Sequence, residues 1–156
     1  MADLAFASAA ELARLIAGKE VSPVEVVRAQ LERITALDGS LKSFITVTAE
    51  AAMAAAREAE VAVLAGRPLG PLHGVPLGLK DLYDTAGVRT TGGSRILAER
   101  VPTADATVVR RLREAGMITL GKLNMVEFAY GPEGRNAHYG HARNPWDAST
   151  HRMAGG

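Results

Sequence analysis

The 156-residue chain has no cysteine, and its aromatic residues number three Phe, three Tyr and one Trp. Without a thiol there is no disulfide, thiolate zinc site, iron–sulfur cluster or cysteine nucleophile. Neither sign of charge dominates: 18 basic residues face 17 acidic ones, a net charge of +1. That balance gives no electrostatic case for nucleic acid or an anionic membrane surface. The few aromatics do not interleave with basic residues, so a stacking platform for single-stranded nucleic acid is not expected either. No run approaches the ~18 apolar residues that suggest a membrane span. The first residues lack the positive segment of a secretory leader, and Asp3 and Glu11 interrupt any early apolar run. A cytoplasmic protein is the expectation. What the chain does have is 47% hydrophobic residues, enough for a packed core and too many for a disordered chain. Its length fits one domain.

The first third reads as helices. Ser8 and Glu11 match a capping box ahead of Leu12, Leu15 and Ile16, and Gly18 ends that run. Ser22-Pro23-Val24-Glu25 is a stronger start, with a Ser cap, Pro at the first helical position and Glu at the third. Val24, Val27, Leu31 and Ile34 recur at helical spacing until Asp38-Gly39, which predicts the stop. Phe44–Val47 reads as a short strand. Thr48 then opens a third helix with nine alanines between 49 and 65, a composition suited to close packing, which Gly66-Arg67-Pro68 ends. From Pro71 the pattern changes. Residues 75–82 read as a strand, Gly87 and Gly92-Gly93 as loop. Asp105 is the expected cap of a helix through Val108, Val109, Leu112 and Ala115. Met117–Leu120 reads as a second buried strand, Asn124–Ala129 as a short helix, and 131–156 as loop. Strand, helix and strand in that order suggest a parallel βαβ unit. The whole is read as one domain, helical over 1–66 and entering an α/β core over 67–156.

Lys80 is the most informative residue. Strand alternation puts it on one face with Pro76, Gly78 and Leu82, and central parallel strands are normally apolar on both faces. Burial disfavours an ammonium, which is how a lysine becomes a base near neutral pH. The plainer alternative is a strand-end lysine paired with Asp81 or Asp84. Lys122, after the second strand, is expected to face an acid such as Glu127. His138 and His141 lie three apart in a glycine-rich loop with no carboxylate cluster nearby, which favours local hydrogen bonding over a metal. Trp146 is expected to anchor a turn. No metal or cofactor is expected.

Three runs resemble those of the amidase signature family. Gly70-Pro71-Leu72-His73-Gly74-Val75-Pro76-Leu77-Gly78-Leu79-Lys80-Asp81 is similar to its lysine segment. Gly121-Lys122-Leu123-Asn124-Met125-Val126-Glu127-Phe128-Ala129-Tyr130-Gly131 is similar to its next motif, and Arg143-Asn144-Pro145-Trp146-Asp147 to the stretch leading toward its serine-rich loop. Order and spacing agree, and several coincident motifs are far more specific than one. The resemblance implies an α/β/α sandwich with a mixed, largely buried sheet, incomplete in this chain. It implies a small-molecule amide as substrate, hydrolysed by a Ser–cis-Ser–Lys triad through an acyl-enzyme, and allows a homodimer of the full-length enzyme. Lys80 matches the triad lysine. Met125 and Tyr130 resemble pocket-side positions, which implies a substrate-lining role. Arg152-Met153-Ala154-Gly155-Gly156 resembles the lead-in to the serine loop, so both serines are expected beyond Gly156 and the chain alone is expected to be inactive. Ser94 and Ser149 do not fit the serine signature. The amidase component of the tRNA-dependent amidotransferase is the alternative within the family. It usually carries Phe-Ala-Met-Gly-Ser-Ser-Thr-Glu where this chain has Phe128-Ala129-Tyr130-Gly131-Pro132-Glu133-Gly134-Arg135, a departure that favours a stand-alone amidase. A non-catalytic truncated remnant is the alternative of another class.

Overall fold

The computed structural model describes residues 4–67 and 69–147. Helix α1 (Ala9–Ala17) starts at Ser8, whose hydroxyl accepts the Glu11 amide. Helix α2 (Pro23–Leu41) starts at a complete capping box: the Ser22 hydroxyl takes the Val24 amide and Glu25 reaches back to the Ser22 amide. These reciprocal bonds satisfy donors that the first turn leaves open. Asp38-Gly39 does not end α2. The helix continues to Leu41 and closes on Lys42 in the left-handed conformation, while the Asp38 carboxylate accepts the Ser43 and Phe44 amides and so sets the turn into the next strand.

Strand β1 (Phe44–Val47) is followed by helix α3 (Ala49–Leu64). Thr48 does not cap α3 with its side chain; its hydroxyl donates to the Thr119 carbonyl instead. Strand β2 (Pro76–Lys80), helix α4 (Thr107–Glu114) and strand β3 (Ile118–Leu123) complete the elements up to a 3-10 turn at Glu127–Ala129. Asp105 does not cap α4 either. One of its oxygens accepts the Ala86 amide and the other pairs with Arg113, which ties the long 82–106 segment to the helix.

The sheet order is β1-β3-β2, with β1 antiparallel and β2 parallel to β3. It is therefore mixed, as the resemblance implies, and β2–α4–β3 is the expected βαβ unit. Alanines Ala52, Ala56 and Ala59 of α3 pack with Val27 of α2 onto Ile118 and Leu120 of β3. Small side chains let the helix approach the strand closely. A second cluster joins Leu12, Ile16, Val26, Val63 and Val75. The opposite sheet face is covered by the 82–106 segment, through Arg89 on Thr46 and Thr90 on Lys122.

The β2–β3 register slips once: Leu77 pairs with Thr119 but Gly78 with Gly121. This bulge decides which faces the later residues occupy. Beyond it Leu79 pairs with Lys122 and Lys80 with Leu123. Alternation then puts Leu79, Asp81 and Lys122 on one face and Gly78, Lys80 and Leu123 on the other. Gly78 leaves room there for the Leu123 side chain, whose Cδ2 would lie 2.8 Å from an added Cβ and would have to shift.

Candidate functional site

Lys80 is the last residue of β2, half-buried at the carboxyl end of the parallel pair. Binding groups gather at that end in open α/β sheets. Among the described residues its ammonium makes no hydrogen bond or ion pair. Neither acid expected as its partner serves it. Asp84 is held by Arg100 in a two-pronged pair, both contacts at 2.7 Å, and the Arg100 hydrogen bond holds the Asp84 carboxyl below the usual carboxylate range. Asp81 is fully buried and turned to the other face.

That face carries the cluster that the local sequence pattern missed. Lys122, with 0% of its side chain exposed, points its ammonium at the Thr90 hydroxyl (2.7 Å), the Tyr83 carbonyl (2.8 Å) and Asp81 Oδ1 (3.4 Å). Its partner is thus Asp81 and not Glu127. Burial pushes the Lys122 ammonium below the ordinary lysine range, and the Asp81 charge opposes that shift. Asp81 Oδ2 accepts the Thr91 hydroxyl at 2.5 Å and the Thr91 amide at 2.9 Å. Its Oδ1 has no directed hydrogen bond and is compensated by the ion pair alone.

Glu127 serves a different group. Its Oε1 accepts the Ser94 hydroxyl at 2.6 Å and meets His138 Nε2 at 3.1 Å. The Ser94 bond, then His138, holds its carboxyl below the usual range. Ser94 is fully buried and its oxygen also accepts the Ile96 amide, so it is bound into the loop as its structural reading requires. His141 Nδ1 accepts the Asn136 amide at 3.0 Å. Both histidines are therefore in local hydrogen bonds, and no group of metal-ligating residues occurs among the described residues.

The segment after β3 is not the expected helix. It holds one 3-10 turn in which Phe128 and Ala129 both take positive φ (52° and 58°). The Phe128 amide is drawn to the Gly92 carbonyl, and that long-range bond overrides helical continuation. Met125 lies inside at 1% exposure, its carbonyl taking Asn136 Nδ2. Tyr130 is 93% exposed and lines an open cleft of about 510 Å³ with Phe128, Arg135 and His141. The structure thus separates the two residues that the resemblance assigns to substrate. Trp146 joins a turn by donating its amide to Asn144 Oδ1, but the indole is 95% exposed and anchors nothing among the described residues. Gly155, Gly156 and Ser149 lie outside the described residues.

The family model described as Amidase matches residues 25–156. A glutamyl-tRNA(Gln) amidotransferase subunit from Acidothermus cellulolyticus is 50% identical over the whole chain, which covers 30% of that protein. A bacterial aryl acylamidase structure of the amidase signature family superposes with a TM-score of 0.90 at 29% identity, covering 97% of this chain and 31% of that one. The peptide amidase of Stenotrophomonas maltophilia superposes with a TM-score of 0.83 at 36% identity, covering 91% of this chain and 30% of that one. The chain spans about a third of the length of these relatives.

Proposed function

The chain belongs to the amidase family, and from that premise we propose that it supplies the general-base lysine, Lys80, of an enzyme that hydrolyses a carboxylic amide. The observation that carries this reading is the placement of Lys80: half-buried at the carboxyl end of a parallel strand, with its neighbouring acids committed to Lys122 and Arg100. In this reading the Lys80 amine accepts a proton through a bridging serine, which activates a nucleophilic serine for attack on the amide carbonyl. Collapse of the tetrahedral adduct breaks the C–N bond and expels the ammonia or amine, which takes its proton back through the serine–lysine relay. Water then hydrolyses the acyl-enzyme to the acid. Gly155 and Gly156 form the lead-in to the loop that bears the first serine. Backbone amides of such a glycine-rich loop can approach the developing oxyanion closely. Of the two residues that the resemblance assigns to substrate, Tyr130, which lines the open cleft, is the one within reach of a ligand, whereas Met125 is buried and does not line it.

The test is to express the uninterrupted reading frame that contains these residues and to follow ammonia or amine release from aliphatic and aryl amides. Lys80→Met is expected to cost at least about a thousandfold in kcat. Because Lys80 has no side-chain partner among the described residues, the variant is expected to melt within a few degrees of the parent. Undiminished turnover in the variant refutes the assignment. The 156-residue chain by itself is expected to release nothing, and Lys80-dependent turnover by that chain would refute the proposed role of downstream serines. A reading frame that stops at Gly156 would favour the non-catalytic remnant.

A second reading is favoured by a specific observation. Identity of 50% over the whole chain is shared with a component of a glutamyl-tRNA(Gln) amidotransferase, so the same lysine would serve within a multi-subunit amidotransferase. Co-purification with a second amidotransferase component supports this reading, and a homo-oligomer with independent amide turnover refutes it. The run Phe128–Arg135, which departs from the pattern of that component, favours the stand-alone enzyme. A cytoplasmic location fits either reading, and no helix among the described residues is long and apolar enough to cross a membrane.

A further inference from the structure

We propose that the buried Lys122–Asp81 pair is a positioning device for Lys80, fixing the end of β2 on one sheet face so that the Lys80 amine is presented on the other. This rests on the reading of Lys80 as the base. Both partners are fully buried. Taking two charges out of water is costly, and an apolar pair of similar volume would stabilise a core as well or better. Stability alone therefore does not account for the pair, whereas its connections do account for a role in placement.

Asp81 directly follows Lys80 and is tied at four points. Its amide donates to the Leu123 carbonyl and its own carbonyl accepts the Gly92 amide. Its Oδ2 takes the Thr91 amide and hydroxyl, and its Oδ1 faces Lys122. Lys122 also holds the Tyr83 carbonyl, and the Tyr83 amide donates back to the Lys80 carbonyl. One ammonium thus clamps both the residue after Lys80 and the turn that closes onto it. With Leu79 buried on the same side, Lys80 sits between two inward-facing anchors. Strand alternation leaves its Cβ no direction except the opposite face. Lys122 and Asp81 touch no reacting group in this arrangement; they act through the backbone.

Acylation of the 156-residue chain by acetic anhydride, quantified at each lysine by mass spectrometry from neutral to alkaline pH, reads Lys80 without any turnover. The exposed Lys19 and Lys42 are internal references. The variant is the combined Lys122→Met with Asp81→Asn, which removes both charges and strands neither. The expected result is a cooperatively folded chain whose Lys80 rate moves toward the two references by about threefold to tenfold, the span of positioning couplings. Val109→Ala, a core truncation elsewhere, is expected to lower the melting temperature and leave the Lys80 profile alone. A folded double variant with the parental Lys80 profile overturns the proposal. If the double variant does not fold, Thr90→Val decides, because it removes one Lys122 acceptor without touching a charge. The Lys80 rate must then move in the same direction, and an unchanged rate overturns the proposal. In the complete protein the double variant is expected to lower kcat by about 10- to 100-fold with KM nearly constant. Absence of amide turnover in the parent would refute the proposed function while leaving the Lys80 profile to decide positioning by itself.

Discussion

The same substitution, Gly to Ala, is expected to have opposite signs at two positions of this chain. At Gly121 a Cβ would lie 2.2 Å from the Thr46 carbonyl oxygen, 3.0 Å from the Val47 Cα and 3.2 Å from the Phe44 Cδ1. Two of these atoms are backbone of β1, so no rotamer change relieves them. The strands must part by at least about 0.8 Å, since real Cβ atoms do not sit under 3.0 Å from such a neighbour. Parting them weakens the β1–β3 ladder and lifts Phe44 from the cluster that includes Ile118 and Leu120. Overpacking costs about 1–3 kcal/mol when side chains can adjust, and a backbone clash belongs at the upper end. At about 2–4 °C per kcal/mol for a chain of this size, Gly121→Ala should melt roughly 6–12 °C below the parent. At Gly39, inside α2, nothing lies within 4 Å of the added Cβ. Alanine is better than glycine in a helix by about 1 kcal/mol, so Gly39→Ala should melt about 2–4 °C above the parent. Thermal melts of the three chains followed by circular dichroism check both signs. A Gly121→Ala chain within about 2 °C of the parent, or a Gly39→Ala chain below it, refutes the reasoning.

Asn136 is nearly fully buried and uses both ends of its amide: Nδ2 donates to the Gly93 and Met125 carbonyls, and Oδ1 accepts the His138 and Tyr139 amides. At about 1 kcal/mol net per bond, Asn136→Ala should cost about 2–4 kcal/mol in urea unfolding and speed hydrogen exchange at His138 and Tyr139; a loss under about 0.5 kcal/mol would show that the hub carries no weight. Arg100 lowers the Asp84 pKa, so their pair is fully present above the ordinary carboxylate range and is lost as pH falls through the depressed Asp84 value. Arg100→Gln should therefore flatten the acid limb of stability in that window and leave the slope at neutral pH unchanged, and an identical acid limb would discount the pair.

Local signals in the sequence are sound where the partners they imply lie close along the chain. Ser8 and Ser22 cap their helices because the amides they accept lie within one turn. The βαβ unit follows from composition over a few residues at a time. Local reading fails wherever a distant group claims a residue first. Asp105 looks like a cap, but the Ala86 amide and Arg113 hold both of its oxygens. Thr48 looks like another, but Thr119 across the sheet takes its hydroxyl. The slip in register between β2 and β3 falls at Gly78 and Gly121, and glycine within a strand is a local mark of a bulge or a close backbone approach. The faces it assigns to the later residues, however, follow only from the pairing of two strands far apart in sequence.

Lys80 and Lys122 show how much one can infer about charge in a buried strand. Both are lysines at the same end of two neighbouring strands, and apolar neighbours make both unusual. Alternation alone separates them: Lys80 pairs in register with Leu123 and Lys122 with Leu79, so they face opposite ways. A fully buried ammonium requires an anion on its own side. Asp81 is the residue that alternation puts there, one step beyond Leu79. Reasoning on strand faces instead of sequence neighbours therefore pairs Lys122 with Asp81. It also leaves Lys80 without that acid, because a carboxylate committed to one face cannot serve the adjacent residue on the other. The availability of the Lys80 amine is thus a consequence of where Lys122 sits, 42 residues further along the chain.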